Sequence, residues 1–384
     1  MQTPCYCFDL DEFRRRAEAV KAQMPNIPMT YSIKANPFLL EQLPEVFDHV
    51  EVCSPGELEI CKSLGIAPEK IIYSGVVKEA CDVHEAVEYG VDIITCESTR
   101  HALLVHAENK PSKVILRLTS GNQFGMSLED AEEIINHCKD KYFNLDIIGI
   151  HYFSGTQKTL RKIQKDLEKL EKILVSLKED CGFEPQMVEY GPGIYTEYFE
   201  EDCNACDMAA LQEAAPALNE FAERYPLAIE MGRFFAASCG TFYTTVKDIK
   251  NSFETNYLMV DGGMHHLNYY GQRMAMQIPP LAVRKQDETF YSIKPQDESL
   301  ENPIAYCICG SLCTVADVLL REVELPKMHI GDVMEFGRCG AYSMTEAPAL
   351  FLSRPMPAIY VKSKEKGEEQ LREHIHAARL NMRQ

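Results

Sequence analysis

The chain lacks the features that would place it in a membrane or an export pathway. No apolar run in its 384 residues approaches the length of a membrane span. The first residues, MQTPCYCFDLDEF, contain no basic segment followed by an apolar one, so the sequence predicts no signal peptide. We therefore expect a cytoplasmic protein that has no membrane partner.

Positive charge is also scarce. The chain has 39 lysines and arginines against 58 aspartates and glutamates, which gives a net charge of −19. General nucleic-acid binding needs a basic surface, so the charge argues against a nucleic-acid partner.

The 15 cysteines of the chain do not form the two paired spacings that are typical of a zinc site. The segment CNAC at 203–206 is a single CxxC without a second pair. A zinc site of the common type needs further ligands, so no metal is predicted, and the thiols are expected to be reduced.

What is present is an alternation of short β-branched or aromatic runs with charged runs of helical period. Strands are predicted at 29–35, 49–54, 70–75, 91–98, 113–120, 145–153, 186–191 and 227–232. Helices are predicted between them at 55–65, 77–90, 127–141, 161–180 and 211–225. Alternating strands and helices are typical of parallel βα units, and eight strands predict a closed (β/α)₈ TIM barrel in an α/β fold.

After about residue 240 the rhythm changes to strands without intervening helices, as in TFYTTVKDIKNS and PIAYCICGSLC. This pattern predicts an all-β C-terminal domain. We place the barrel at 26–240 and the β domain at 1–25 together with 241–384. The N-terminal strand CYCFDL is expected to pair with the barrel, and the charged tail from Ser363 onward is expected to form a surface helix.

Reactive side chains follow several of the predicted barrel strands. Barrel enzymes build their sites at the C-terminal ends of the strands. Each residue alone has an ordinary structural explanation, such as a solvated lysine, a core histidine or a glycine turn. The residues at these positions are Lys34, Arg117, His151, Ser154, the GPG segment at 191–193, Glu230 and Arg233.

Together these residues suggest a phosphate-bearing cofactor that is bound by a lysine. The loops after strands 7 and 8 are the common phosphate site of such barrels, and glycine N–H groups can hold a phosphate there. A lysine beside a phosphate site suggests pyridoxal 5′-phosphate (PLP), whose aldehyde bonds to a lysine amine. His151 is placed to stack on the cofactor ring and Glu230 to pair with its pyridine nitrogen.

Eight motifs spread over nearly the whole chain resemble those of the fold-type III PLP-dependent decarboxylases, the group of diaminopimelate and ornithine decarboxylases. The motifs are YSIKAN, EVCSPGELE, HYFSGTQ, YGPG, EMGRFF, VDGGM, CGSLCTVAD and GDVMEFGRCGAYSM. The resemblance implies an alanine racemase-like barrel with a β domain. It also implies a head-to-tail homodimer that shares its active sites.

The resemblance also assigns roles to individual residues. Lys34 carries the cofactor, His151 stacks on its ring, and Glu230 holds its pyridine nitrogen. Cys313 of the partner subunit reprotonates the α-carbon after carbon dioxide leaves. The phosphate shell comprises Ser154, Gly191, Gly193, Arg233 and Tyr342, the supporting positions are Glu57 and Arg117, and Asp261 and Asp317 lie near the substrate.

Two departures from the family pattern bear on function. Pro192 interrupts the usual glycine run and removes one N–H donor from the phosphate loop. Thr314 stands after Cys313, where diaminopimelate and ornithine decarboxylases have an acidic residue that meets the far amine of the substrate. The nearest candidate for an arginine that binds a far carboxylate is Arg273.

We therefore predict a PLP-dependent α-decarboxylase of an amino acid or an amino-acid conjugate, either free or carrier-linked. The alternative is a decarboxylase of free diaminopimelate or ornithine. A racemase of the same fold and a non-catalytic PLP-binding homologue are two further alternatives. Glu230 and Cys313 argue against the racemase, and the presence of both Lys34 and Cys313 argues against the non-catalytic homologue.

Overall fold

A computed structural model describes residues 1–269, 274–293 and 300–383. The chain divides into two compact units. The barrel unit comprises Arg16–Thr196 and Asp207–Phe234, and the sheet unit comprises Met1–Arg15, Glu197–Cys206 and Phe235–Gln384. The domain boundary at residue 240 stays a prediction. No helix in the described part of the chain combines the length and apolar character needed to span a membrane.

Eight parallel strands close the barrel, as the sequence predicted. The chain begins with strand β1 (Cys5–Asp9) and helix α1 (Leu10–Gln23) before it enters the barrel. The barrel strands are β2 (Met29–Ser32), β3 (His49–Val52), β4 (Ile71–Tyr73), β5 (Ile93–Cys96), β6 (Ser112–Leu118), β7 (Leu145–Phe153), β8 (Met187–Gly191) and β9 (Leu227–Met231). Buried isoleucines from β4, β5 and β6 pack together with Ile148 of β7.

Helices connect these strands, and three of them begin at serine side-chain caps. The Ser54 hydroxyl, for example, accepts a hydrogen bond from the Glu57 N–H at the start of the first of them. The helices are α2 (Pro55–Ser63), α3 (Ala80–Tyr89), α4 (Thr99–Ala107), α5 (Leu128–Asn136), α6 (Leu160–Cys181), α7 (Cys203–Ala222) and α8 (Arg233–Ala236). Sequence reasoning missed α1 and α4.

The sheet unit contains one sheet of ten strands, β1 and nine that follow the barrel. The nine are β10 (Gly240–Ser252), β11 (Thr255–Val260), β12 (Leu281–Arg284), β13 (Phe290–Ile293), β14 (Ile304–Cys309), β15 (Val318–Leu325), β16 (Val333–Phe336), β17 (Ala358–Ser363) and β18 (Gly367–Arg372). The strand order is β13-β12-β16-β10-β1-β17-β18, with β11, β14 and β15 joined through β10.

Two predictions about the ends of the chain are wrong. Strand β1 pairs with β10 and β17 of the sheet unit and not with the barrel, because its buried apolar face packs on that sheet. The charged tail begins as the hairpin β17–β18, and a turn ending at Gly367, whose φ is +75°, directs the chain back. Backbone pairing with β17 therefore outweighs the helical propensity of GEEQLR.

Candidate active site

The amine of Lys34 is bound between acidic side chains. The residue lies in the 3₁₀ turn Ile33–Ala35 just after β2, so the predicted strand 29–35 ends early, at Ser32. Lys34 Nζ donates to Glu51 Oε2 at 2.5 Å and lies 3.4 Å from Glu230 Oε1 and 3.5 Å from Cys53 Sγ. The Lys34 side chain is 38% exposed, so its charge is balanced by an ion pair and by partial solvation.

Glu230 on β9 joins the predicted residues of the barrel into one network. Its Oε1 accepts a hydrogen bond from the Ser32 hydroxyl at 2.6 Å, and its Oε2 lies 2.8 Å from His151 Nε2. Burial alone would raise the pKa of Glu230, but the charge of Lys34 and the contact with His151 outweigh it and hold this pKa well below its usual value. The structure thus brings Lys34, His151 and Glu230 together around a charged carboxylate.

Two further glutamates face the same interior. Glu51 on β3 and Glu189 on β8 are 1% and 0% exposed, and Glu230 lies on β9, which is next to β8 and is separated from β3 by β2 alone. Sequence reasoning missed Glu51 and Glu189 as site residues. The available signal was a carboxylate inside a short apolar run, in HVEV and MVEY, where a charge without a partner is costly to bury.

Glu189 differs from its neighbours in having little to stabilise a charge. Its Oε1 accepts from the Thr30 hydroxyl at 3.1 Å, and its Oε2 has no partner among the described residues. Burial, followed by the nearby charges of Glu230 and Glu51, raises the pKa of Glu189 well above its usual value. Burial and these charges thus favour the protonated form of Glu189, next to the ionised Glu230.

The predicted phosphate loop comes into close contact with the loop after β7. Gly193 has a φ of +52°, and a Cβ at this position would lie 2.3 Å from the carbonyl oxygen of Gly155. The Lys158 N–H also donates to the Gly193 carbonyl at 2.8 Å. Only glycine permits this approach, so backbone from both loops lies beside Ser154 despite the proline at 192.

Asp166 of α6 orders this loop region and was not predicted. Its Oδ2 accepts hydrogen bonds from the Ser154 hydroxyl at 2.6 Å, Lys158 Nζ at 2.7 Å and the Tyr190 hydroxyl at 2.9 Å. Asp166 therefore sets the orientation of the Ser154 side chain. No sequence signal marks it, because an aspartate on a charged helix reads as a solvated residue.

The two supporting residues of the barrel have clear partners. Arg117 pairs with Glu97 at 3.0 Å, and both side chains are largely buried. The Cys53 N–H donates to Glu57 Oε2 at 2.6 Å, and burial raises the pKa of Glu57. Glu57 thus fixes the backbone of Cys53, whose thiol contacts Lys34.

Of the remaining predicted residues, Arg233 is the first residue of α8 and belongs to the barrel unit, and the others belong to the sheet unit. Cys313 is exposed in the loop between β14 and β15, and the Thr314 hydroxyl accepts from the Ala316 N–H at 3.3 Å within the same loop. Tyr342 lies half-buried in the segment after β16. Arg273 lies outside the described residues.

Asp317 is a buried residue that stabilises the loop bearing Cys313. It is 2% exposed, its Oδ1 accepts from the Met264 N–H at 2.7 Å, and its Oδ2 accepts from the Leu312 N–H at 2.8 Å. Burial raises the pKa of Asp317, and these two bonds oppose the rise. The carboxylate is therefore committed to backbone N–H groups.

Asp261 is likewise surrounded by donors of its own chain. Its Oδ1 accepts from the Thr244 hydroxyl at 2.8 Å and the Thr245 N–H at 2.9 Å. Its Oδ2 accepts from the Thr3 hydroxyl at 2.9 Å and pairs with Lys247 Nζ at 3.2 Å. A carboxylate with four donors has little capacity left for a substrate amine.

The residues of the barrel unit fit pyridoxal phosphate. Lys34 supplies an amine, Glu230 supplies a carboxylate whose lowered pKa keeps it charged, and the Gly155 and Gly193 loops supply backbone free of side chains. His151 is 1% exposed, and its Nδ1 has no partner among the described residues. An aromatic cofactor with a basic ring nitrogen and a phosphate suits this set.

Comparison with known proteins identifies the family. Residues 10–237 match the family model described as "Pyridoxal-dependent decarboxylase, pyridoxal binding domain". An L-glutamyl-(BtrI acyl-carrier protein) decarboxylase of Niallia circulans is 26% identical over 390 residues, covering 94% of this chain and 89% of that protein. A 2-((L-alanin-3-ylcarbamoyl)methyl)-2-hydroxybutanedioate decarboxylase of Staphylococcus aureus is 26% identical over 394 residues, covering 95% of each.

Solved structures share the fold. The crystal structure of diaminopimelate decarboxylase from Helicobacter pylori complexed with L-lysine superposes with a TM-score of 0.83 at 21% identity, covering 99% of this chain and 96% of that one. The relatives named here are decarboxylases, so the racemase alternative is not favoured. The chain belongs to the pyridoxal-dependent decarboxylases, and it is a carboxy-lyase that uses PLP to remove a carboxyl group from an amino acid or an amino-acid conjugate.

Proposed function

We propose that the substrate is an amino acid whose side chain is joined to a further group, and not free lysine, ornithine or diaminopimelate. The observation that carries this proposal is the state of the carboxylates near Cys313. Asp261 is engaged by four donors, and Asp317 by two backbone N–H groups. Thr314 adds no charge at the position that is acidic in the free-diamine enzymes.

Asp261, Thr314 and Asp317 therefore offer no available carboxylate to a terminal ammonium group. Leaving a cation without a partner is costly, so a site of this kind discriminates against substrates that end in an amine. The names of two relatives support the same direction, because one acts on a glutamyl group carried by a protein and the other on an amide-linked conjugate.

Carbon dioxide release from a substrate panel tests this proposal. The panel contains free lysine, ornithine and meso-diaminopimelate beside glutamate joined through its side chain to a carrier protein, and 2,3-diaminopropionate joined to a dicarboxylate. We expect kcat/KM for at least one conjugate to exceed that of every free diamine by roughly 100-fold, as for the loss of a required charge pair. Efficient turnover of free meso-diaminopimelate would disprove the proposal.

We also propose roles for the site residues. When bound, PLP supplies an electron sink for the electron pair left on the substrate carbon. Lys34 binds the cofactor covalently, Glu230 keeps its ring nitrogen protonated, and His151 packs against its ring. Cys313 delivers a proton to the substrate carbon after carbon dioxide leaves. The phosphate of PLP is bound by Gly191, Gly193, Ser154, Arg233 and Tyr342.

Replacing Glu189 by glutamine should change the pH dependence of stability. Because the pKa of Glu189 is raised in the folded protein, the unfolded chain releases this proton first, and the wild type loses stability as pH rises from about 4.3. Glutamine mimics the neutral acid and removes that loss. We expect the unfolding midpoint of E189Q, relative to wild type, to rise as the pH increases above about 5 in thermal unfolding of the holoenzyme.

Glu230→Gln is the matched control for this measurement. The pKa of Glu230 is lowered in the folded protein, so its contribution to stability is lost only below the unfolded value of about 4.3. E230Q also removes the charge that helps to raise the pKa of Glu189, so its difference from wild type should rise over the same pH range by less than that of E189Q. Parallel pH profiles for E189Q and wild type would show that Glu189 is ionised in the folded protein.

We propose further that the protein is a head-to-tail homodimer and that it is located in the cytoplasm. The dimer follows from the family resemblance, in which Cys313 serves the partner subunit. All fifteen cysteines are free thiols in the structure, which suits a reducing compartment. Light scattering at micromolar concentration tests the dimer directly.

A further inference from the structure

A cavity of about 480 Å³ opens beside Cys313 in the sheet unit. Loop residues 310–313 form one wall, and residues of β10 and β11 form the other. The volume lies in the range of small-ligand sites and exceeds what a single carboxylate needs. Cys313 at its edge connects this cavity to the chemistry proposed above.

The cavity carries an excess of positive charge in a strongly acidic chain. Its charged lining comprises Lys247, Lys250 and Arg354 against Asp248 and Asp261, whereas the whole chain has a net charge of −19. Lys247 pairs with Asp261 at 3.2 Å, and Lys250 pairs with Asp248 at 3.1 Å. Arg354 has no carboxylate within ion-pair distance among residues 1–269, 274–293 and 300–383.

Arg354 is held in place by a neutral group. Its Nη2 donates to the Ser311 carbonyl at 2.9 Å, next to the loop that bears Cys313. A guanidinium has five N–H donors, so this single bond leaves most of them for a ligand. Arginine matches carboxylates and phosphates with two parallel bonds, which makes these anions the natural ligands.

We propose that this cavity binds the far end of the substrate and that this end is anionic, a carboxylate or a phosphate. The inference rests on the proposed function, because it assigns a charge to the conjugated group. Arg354 supplies the main contact. Lys250 supplies a second cation, which gives up its ion pair with Asp248 when it binds the ligand. A hydroxybutanedioate, named in the substrate of the relative from Staphylococcus aureus, has the required charge.

Protection of Cys313 from alkylation tests the cavity without using turnover. The holoenzyme is treated with iodoacetamide, a neutral reagent, in the presence of citrate, inorganic phosphate or neutral triethyl citrate at constant ionic strength. Peptide mass spectrometry follows Cys313, and the other exposed thiol, Cys81, is the internal control. We expect citrate or phosphate to slow alkylation of Cys313 alone, and the stronger of the two identifies the anion.

Three variants separate binding from a structural role of the loop. Arg354→Gln and Lys250→Gln should each weaken anion protection by roughly tenfold, the value of a charge-assisted hydrogen bond. Lys250 does not contact the Cys313 loop, so its effect does not depend on loop geometry. Lys364→Gln, which removes an exposed charge from the β17–β18 turn, should leave protection unchanged. Equal protection by triethyl citrate, equal protection of Cys81, or unchanged protection in both test variants would overturn the proposal.

Kinetics on matched conjugates then link the cavity to the substrate. An amide conjugate with a free far carboxylate should have a kcat/KM roughly tenfold or more above that of its methyl ester, and Arg354→Gln should remove the difference. A preference for the ester would contradict the inference. If only free diamino acids are decarboxylated while anions still protect Cys313, the proposed function fails and the anion site stands.

Discussion

Replacing Lys34 by alanine should abolish the visible absorbance band of the bound cofactor and lower kcat by roughly 10⁴-fold or more, as for loss of a covalent catalyst. The amine is the group that we propose binds the cofactor, and it is also the cation between Glu51 and Glu230. Removing it leaves two buried carboxylates without their countercharge. Spectra of purified holoenzyme and single-turnover assays of carbon dioxide release measure both effects.

Lys34→Arg separates the covalent role from the electrostatic one. Arginine keeps a positive charge beside Glu51 but forms no imine with the cofactor, so K34R should fold as wild type and still lack the band. Survival of the band in both variants would mean that another lysine is the anchor. Lys78 and Lys158, at 1% and 4% exposure, are the buried lysines to examine next.

Cys313→Ala should lower formation of the decarboxylated amine by roughly 10²- to 10⁴-fold, the usual cost of losing a positioned acid. Without this proton donor, protonation at another carbon of the cofactor–substrate system becomes competitive and yields carbonyl products by transamination. Chromatography of the amine and carbonyl products gives the partition ratio. Cys81→Ala removes the other exposed thiol and is the matched control.

Mixing the two inactive variants tests whether the active site is shared. If Cys313 serves the partner subunit, a heterodimer of Lys34→Ala and Cys313→Ala contains one intact site. Random exchange should then restore about a quarter of wild-type activity, because half of the dimers are mixed. An unchanged product ratio in C313A, or no recovery on mixing, would remove Cys313 from its proposed role.

The barrel could be predicted from the sequence because its signal is repeated. Eight apolar runs recur, with charged helical runs between most of them, so an error at one strand does not change the fold. The ends of the chain offer no such repetition. The tail GEEQLR has helix-forming residues, and only its pairing with the neighbouring strand β17 makes it a strand.

Site residues could be predicted where a charged side chain stands at a position that is usually apolar. Lys34 and Glu230 at strand ends could be identified because charge is rare there, and the same reasoning would have found Glu51 and Glu189. Asp166 and Asp317 could not be found in this way, because aspartates in polar segments are ordinary. Their importance comes from which N–H and O–H groups the fold brings to them.

The hydrogen bonds by which Asp317 holds the Cys313 loop have an evolutionary consequence. Its carboxylate holds Leu312, the residue before Cys313, while Val315 at the tip of the loop is 99% exposed. In the proposed mechanism, the proton donor is therefore anchored on one side of a short segment whose tip is exposed within the subunit. Under this proposal, mutations at 315–316 can change which molecules are accepted without displacing the thiol, so descendants of this chain can acquire new substrates while the chemical step is inherited intact.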